Sequence, residues 1–273
     1  MNAIKDMYAR WAAGDMGVDD QWGDVTAEPR GLDYAEVSAG GVPAMWLSPH
    51  GADQDRVIVA LHGGGFVGGS LYTHRKMYGH LAKAAGVRVL LATYRLAPAY
   101  RFPAQVEDAV TAYRWAAGHA DTVALAGDSS GGGLAVQVAR REPGVAALLL
   151  MSPWVDMDPA QTATSYDGNS DPFFTRTMVR GLIAQYLPAG MSGTAPEVNA
   201  FHADLSKLPP VYVQCGGDES GRGDSERLAQ QTGARLDVFD GQPHTFQMAA
   251  GRAPVADEAI GRMAAWVRPR LGL

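Results

Sequence analysis

The sequence predicts an α/β fold with a mostly parallel central sheet and helices on both faces. Short apolar runs typical of buried strands alternate with longer stretches typical of helices. Runs such as Val57–Leu61 are unbroken by polar residues, as expected of strands covered on both faces. At 273 residues with 47% hydrophobic content, the chain has the size of one α/β domain.

Seven apolar runs are predicted to be strands. They lie near residues 44–48, 57–61, 87–93, 122–126, 145–151, 211–215 and 235–239. Helices are predicted over Ala104–Ala117, Asp224–Gln231 and Asp257–Pro269, among others. There is no internal repeat and no low-complexity tract, so we expect a single domain over residues 1–273.

A glycine-rich turn with a serine follows the run 122–126. Gly127-Asp128-Ser129-Ser130-Gly131 fits the pattern G-x-S-x-G with Ser129 at its centre. Ser130 cannot be that centre, because Asp128 stands where the pattern would then need glycine. A strand, a glycine-flanked serine and a helical continuation are the context of a nucleophile elbow. Such a pattern alone is most often an ordinary turn, so the interpretation needs support from other motifs.

A second glycine-rich loop, His62-Gly63-Gly64-Gly65, follows the run 57–61. By itself it could be a flexible loop. In α/β-hydrolases such a loop forms an oxyanion hole together with the N–H of the residue after the nucleophile, here Ser130. The two motifs in this order, each after a predicted strand, favour a catalytic site.

A serine nucleophile needs a base and a carboxylate that orients the base. His244 is the candidate base, because it follows the serine in sequence and lies in a turn after the run 235–239. The carboxylate should lie between the two, at the end of a strand. Asp218 closes the run 211–215 and is the first choice. Its rivals are Glu219, Asp224 and, more weakly, Asp240. The usual role of such carboxylates is to carry surface charge.

The chain resembles the hormone-sensitive-lipase-like esterases, the bacterial family IV of α/β-hydrolases, from about residue 40 to its C-terminus. The matching motifs are His62-Gly63-Gly64-Gly65, Tyr94-Arg95-Leu96-Ala97-Pro98, Gly127-Asp128-Ser129-Ser130-Gly131-Gly132, Ser152-Pro153-Trp154, Leu208-Pro209-Pro210 and Gly217-Asp218-Glu219. The resemblance implies an α/β-hydrolase fold with a small helical cap. It also implies a catalytic triad of Ser129, Asp218 and His244. The oxyanion hole would be formed by the N–H groups of Gly64, Gly65 and Ser130.

Two positions depart from the family pattern. Ser130 replaces the usual alanine and adds a hydroxyl beside the expected oxyanion hole. Ala99-Tyr100-Arg101 lacks the acidic residue that the family carries after Ala-Pro, which leaves the conformation of this loop open. The stretch 42–46 and the compact length resemble the monoterpene lactone hydrolases of this family, so a lactone is considered beside an open ester.

Two segments, about 1–30 and 156–205, do not follow the strand–helix alternation and are expected to form the cap. The first has Met7, Tyr8 and Trp11 at helical spacing. The residues expected to contact substrate are Phe66, Trp154, Phe173, Phe174 and Met178. Each could instead be an ordinary core residue, which is the commoner case.

Composition argues against several partners. A net charge of −6 and a pI near 5.6 disfavour nucleic acid and anionic membrane surfaces. The run 145–151 is too short to span a bilayer, and the N-terminus lacks a signal-peptide pattern, so a cytoplasmic location is expected. Cys215 is the sole cysteine, which excludes an internal disulfide. The sequence has no metal or nucleotide motif, so no cofactor is expected; a homodimer is allowed.

The expected activity is hydrolysis of a small, soluble carboxylic ester or lactone through an acyl-enzyme. A serine peptidase or amidase would use the same residues and remains an alternative. A non-catalytic ligand receptor on this scaffold is less favoured, because Ser129, Asp218 and His244 are all present.

Overall fold

The structure is a computed structural model that describes residues 3–13, 22–160, 171 and 174–273. Within these ranges, eight strands form one sheet in the order β1-β2-β4-β3-β5-β6-β7-β8. The strands are β1 (Leu32–Ala39), β2 (Val42–Pro49), β3 (Asp53–Leu61), β4 (Val87–Ala92), β5 (Thr122–Asp128), β6 (Val145–Met151), β7 (Val211–Gly216) and β8 (Arg235–Phe239). β1 and β2 pair antiparallel with their neighbours, and β3 to β8 pair parallel. The predicted mostly parallel sheet is therefore confirmed.

Helices cover both faces of this sheet. In the described ranges there are seven α-helices: α1 (Ala3–Ala12), α2 (Leu71–Ala85), α3 (Ala104–Ala117), α4 (Ser130–Ala139), α5 (Arg176–Tyr186), α6 (Arg222–Thr232) and α7 (Pro254–Val267). Residues of α1, α2 and α7 pack into the apolar core on one face, and residues of α3, α4, α5 and α6 pack into the core on the other. None of these helices is both long and apolar enough to cross a membrane.

β3 shows why the apolar runs are unbroken. Val57, Val59 and Leu61 belong to one apolar core, and Ile58 and Ala60 belong to the other. All five side chains are fully buried. Successive side chains of a strand point to opposite faces, so a strand covered on both faces needs apolar residues at every position.

β1 is absent from the predicted strands. It lies at the edge of the sheet, and most of its residues are exposed or half-buried, including Asp33 and Glu36. Such a strand has no apolar run, so composition alone does not reveal it. The predicted start of the last helix, Asp257, is three residues late. The helix begins at Pro254, whose fixed φ and missing N–H suit the first turn.

The turn between β5 and α4 brings the helix very close to the end of β3. A Cβ added at Gly131 would lie 2.0 Å from the carbonyl oxygen of Leu61 and 2.6 Å from that of His62. Both are main-chain atoms at the start of the His62-Gly63-Gly64-Gly65 loop. Only a glycine at position 131 therefore allows α4 to pack against this loop.

We expect Gly131→Ala to lower the free energy of unfolding by about 1–3 kcal/mol or more, because the added methyl group must displace main-chain atoms. The matched control is Gly181→Ala in α5, where an added Cβ has nothing within 4 Å. This control should gain about 0.5–1 kcal/mol from its better helix propensity. Urea unfolding of both variants measures the difference, and equal stability of the two would contradict this packing.

Candidate active site

Ser129 occupies the single position between β5 and α4. Its φ is 51°, a conformation that non-glycine residues rarely adopt. Main-chain hydrogen bonds hold it there. Its N–H donates to the carbonyl of Met151 at 2.9 Å, and its carbonyl accepts from the N–H of Trp154 at 2.9 Å. The strained turn directs the side chain out of the helix, as expected of a nucleophile elbow.

His244 lies in the loop after β8 and faces Ser129. Its Nε2 is 2.9 Å from Ser129 Oγ, and both residues are almost fully buried. The loop is held from α1, because the Tyr8 hydroxyl donates to the His244 carbonyl at 2.9 Å and lies 2.6 Å from the Thr245 hydroxyl. The imidazole is thus within reach of the serine proton.

The carboxylate behind His244 belongs to Glu219. Its Oε1 lies 3.7 Å from His244 Nδ1, and its side chain is fully buried. The Asp218 side chain instead points away and pairs with Lys5 Nζ at 2.8 Å, with more than a third of its surface exposed. The expectation that Asp218 faces the histidine is therefore corrected to Glu219.

The turn after β7 explains this orientation. The N–H of Gly217 donates to the carbonyl of Phe239 at the end of β8, and the N–H of Asp218 donates to the carbonyl of Gln242 in the loop before His244. The chain then turns back, and the longer Glu219 side chain reaches under the imidazole. Its Oε2 accepts hydrogen bonds from the N–H of Gly216 at 2.9 Å and from the Ser152 hydroxyl at 2.6 Å.

The other two rival carboxylates lie elsewhere. Asp224 is buried in the first turn of α6, and Asp240 is exposed in the turn after β8. The sequence indicates the turn that carries the carboxylate, which is the turn after β7. It contains no signal that separates Asp218 from Glu219, because spacing alone does not tell which of two adjacent side chains faces inward.

Two opposing effects act on the imidazole of His244. Burial lowers its pKa, since charge is unfavourable away from water, and the Glu219 carboxylate raises it, since a negative charge favours imidazolium. More distant charge on Asp171 and Asp128 acts in the same direction as Glu219. The carboxylates prevail, and the pKa of His244 lies above its ordinary value of 6.5.

The His62-Gly63-Gly64-Gly65 loop turns back on itself beside the elbow. Gly64 has φ of 125°, and a Cβ there would lie 2.2 Å from the Gly68 carbonyl oxygen. Among the described residues, the N–H groups of Gly64 and Gly65 have no hydrogen-bond acceptor. Ser130 is the first residue of α4, where helical N–H groups have no partner within the helix. These N–H groups are available to an anion.

Asp128 ties this loop to the elbow, a role that the sequence did not indicate. The carboxylate is fully buried. Its Oδ1 accepts from the N–H of Gly63 at 3.0 Å and from the Tyr78 hydroxyl at 2.8 Å, and its Oδ2 lies 3.2 Å from His74 Nε2. Burial alone would raise the pKa of Asp128, but His74 holds it below its ordinary value. Burial lowers the pKa of His62, at the start of the loop, to about 4.

A chain of aromatic rings leads away from His244. Phe174 stacks on the imidazole with ring centroids 4.8 Å apart and an interplanar angle of 9°. Trp154 meets the Phe174 ring edge-on at 5.4 Å, and Phe66 lies 5.5 Å from Trp154. Met178 is half-buried against the same apolar core. Phe173 lies outside the described residues.

In the described part of the chain, no group of three or more His, Cys, Asp or Glu side chains could hold a metal ion. Among these residues the structure does bring together a serine, a histidine, a carboxylate and two N–H groups that have no acceptor within the described ranges. This set has the composition of an active site for acyl transfer.

Known proteins share this fold. Residues 58–248 match a family model described as the alpha/beta hydrolase fold. A crystal structure of an esterase from the bacterial hormone-sensitive lipase family superposes with a TM-score of 0.90 at 36% identity, covering 98% of this chain and 97% of that one.

Two curated relatives are similar to this chain over most of its length. An acetyl-hydrolase of Streptomyces hygroscopicus is 36% identical over 77% of this chain and 71% of its own. Esterase LipI of Mycobacterium tuberculosis is 32% identical over 76% of this chain and 70% of its own. The chain therefore belongs to the hormone-sensitive-lipase family of α/β-hydrolases.

Glu219→Gln should reduce kcat on the order of 10⁴-fold, because the neutral amide neither orients nor stabilises the imidazolium of His244. Asp218→Asn is the matched control at the adjacent position. It removes the negative charge of a partly exposed ion pair with Lys5 and should change kcat by less than about threefold. Steady-state hydrolysis of a chromogenic ester measures both, and the reverse ranking would restore Asp218.

Activity should increase with pH through the titration of His244, because only the neutral imidazole accepts a proton. Since Glu219 raises the pKa of His244, the midpoint of the acidic limb in the pH profile of kcat/KM should lie above 6.5, the ordinary pKa of histidine. The residual activity of Glu219→Gln should have its acidic limb at lower pH. Profiles of kcat/KM from about pH 5 to 8 measure both limbs. An unmoved limb in the variant would contradict this electrostatic coupling.

Proposed function

We propose that this carboxylic ester hydrolase cleaves small, soluble esters through a covalent acyl intermediate on Ser129. The observation that carries the proposal is the contact of Ser129 Oγ with His244 Nε2 at 2.9 Å, with the Glu219 carboxylate on the far side of the imidazole. The N–H groups of Gly64 and Gly65, which have no acceptor among the described residues, support it further.

In the first half of the reaction, Ser129 Oγ attacks the ester carbonyl while His244 takes its proton at Nε2. Glu219 stabilises the resulting imidazolium and keeps Nδ1 turned away from the serine. The tetrahedral oxyanion receives hydrogen bonds from the N–H groups of Gly64, Gly65 and Ser130. His244 then gives its proton to the leaving alkoxide, which departs as the alcohol.

In the second half, water attacks the acyl-serine. His244 takes a proton from this water, and the same N–H groups stabilise the second oxyanion. Collapse of this intermediate releases the carboxylic acid, and His244 returns the proton to Ser129. With a lactone, the alcohol would remain tethered to the acyl group, and the product would be a hydroxy acid.

The proposed substrate is short, with an acyl group of roughly two to eight carbons, as suits a site of ~300–1,000 Å³. The near-complete burial of Ser129 and His244 supports a small substrate. The acetyl-hydrolase name of the Streptomyces relative also favours a short acyl group.

The two segments 1–30 and 156–205 are proposed to form a cap over the site. Tyr8, from the first, contacts the His244 carbonyl, and Phe174, from the second, stacks on the imidazole. Substrate size would then be limited by side chains such as Phe174. A cytoplasmic location and a homodimer remain predictions.

The proposal is tested with p-nitrophenyl esters of increasing acyl length, beside a few lactones. We expect ordinary saturation kinetics with the highest kcat/KM on short acyl groups. Ser129→Ala should lose on the order of 10⁴-fold or more in kcat and stay folded, because the members of a triad act as a unit. Ser130→Ala is the matched control and should remain active.

Wild-type protein that leaves dissolved short esters intact but hydrolyses peptides or amides would overturn the proposal in favour of a peptidase or amidase. Specific binding of an ester without turnover would favour a receptor. Activation only once an emulsion of long-chain triglyceride has formed would make the protein a lipase.

A further inference from the structure

Ser152, the first residue after β6, has a side chain that contacts both loops behind the serine. Its hydroxyl donates to Glu219 Oε2 at 2.6 Å and accepts from the N–H of Thr245, the residue after His244, at 3.0 Å. The residue is 1% exposed. One hydroxyl thus joins the carboxylate loop to the histidine loop.

This contact determines which oxygen of Glu219 faces the imidazole. Oε2 receives two donors, from Ser152 Oγ and from the N–H of Gly216. Oε1 remains as the oxygen opposite His244 Nδ1. Two hydrogen bonds to a single oxygen of a buried carboxylate fix its rotation.

The backbone conformation of Ser152 also indicates that surrounding contacts hold this residue in place. Its φ is 48°, in the region that usually favours glycine. A non-glycine residue in this conformation is strained, and the surrounding contacts must hold it there. Here the Ser152 N–H donates to the Gln214 carbonyl at 2.7 Å, and the preceding residue, Met151, accepts from the N–H of Ser129. Ser152 is therefore linked to the loops of all three groups in the proposed mechanism.

We propose that Ser152 is a positioning residue for ester hydrolysis, and that its hydroxyl holds Glu219 and the His244 loop in the arrangement the imidazolium needs. The inference rests on the proposed function. Ser152 exchanges no proton with the substrate and touches none of the reacting atoms. It acts through Glu219, so its contribution should vanish when Glu219 can no longer act.

The test uses Ser152→Ala and Ser152→Gly in the full-length protein, assayed on a short p-nitrophenyl ester. Both remove the hydroxyl, and glycine in addition relieves the positive φ. Both should lower kcat by about 10- to 100-fold, the range spanned by loss of one hydrogen bond to a charged group. KM should stay within about threefold, because the hydroxyl contacts no substrate. If the alanine variant does not fold, the glycine variant carries the test.

A double-mutant cycle separates positioning from a general structural role. In a Glu219→Gln background, Ser152→Ala or Ser152→Gly should change kcat by less than about twofold, because the two residues act as one unit. Folded single variants with wild-type kcat would overturn the proposal. The same 10- to 100-fold loss in both backgrounds would also overturn it, since Ser152 would then act independently of Glu219. Failure of the proposed function itself would appear separately, as a Ser129→Ala variant that keeps its activity.

Discussion

The structure depends above all on the close approach of main chain to main chain at the Ser129 turn. A single residue, Ser129, separates β5 from α4. Gly131 lies so close to Leu61 that no side chain fits between them. The turn is further held by hydrogen bonds of Ser129 to Met151 and Trp154. Because β5 lies between β3 and β6, this one turn contacts the oxyanion loop on one side, and on the other side it contacts Met151 and Trp154, which flank Ser152 in sequence. A rigid core fixes the strained serine, and the loops around it complete the site.

Two buried carboxylates flank this turn and have different environments. Asp128 accepts hydrogen bonds from the N–H of Gly63 and the Tyr78 hydroxyl and lies beside His74 Nε2, and these three partners belong to the scaffold. Glu219 has one oxygen bound by Ser152 and Gly216 and the other opposite His244. In the proposed mechanism, Asp128 fastens the oxyanion loop to the elbow, and Glu219 stabilises charge that appears during the reaction. Environment rather than residue type separates the two roles.

Much of the architecture could be predicted from sequence, because burial on both faces leaves unbroken apolar runs such as Val57–Leu61. β1 could not, since an edge strand with exposed charges has no such run. The register of the elbow followed from Asp128, which excludes Ser130 as the centre of the motif. The pairing of Ser129 with His244 was expected from chain order, and the structure brings the two side chains to 2.9 Å.

The carboxylate shows where sequence reasoning ends. Asp218 and Glu219 occupy the same turn, and their side chains point in opposite directions because of hydrogen bonds to Phe239 and Gln242, more than twenty residues away. The contacts of Ser152 and Asp128 also join segments distant in sequence. Such contacts depend on the folded arrangement of several loops, which neither periodicity nor motif spacing encodes.

In the proposed mechanism, every turnover passes through a covalent bond between Ser129 and the acyl group. The most direct measurement is to inactivate the protein with an organophosphate and locate the adduct by tandem mass spectrometry. We expect complete loss of ester hydrolysis with a single adduct per chain, on Ser129. Full inactivation with the adduct on Ser130 or another serine, or retained hydrolysis after Ser129 is fully modified, would contradict it.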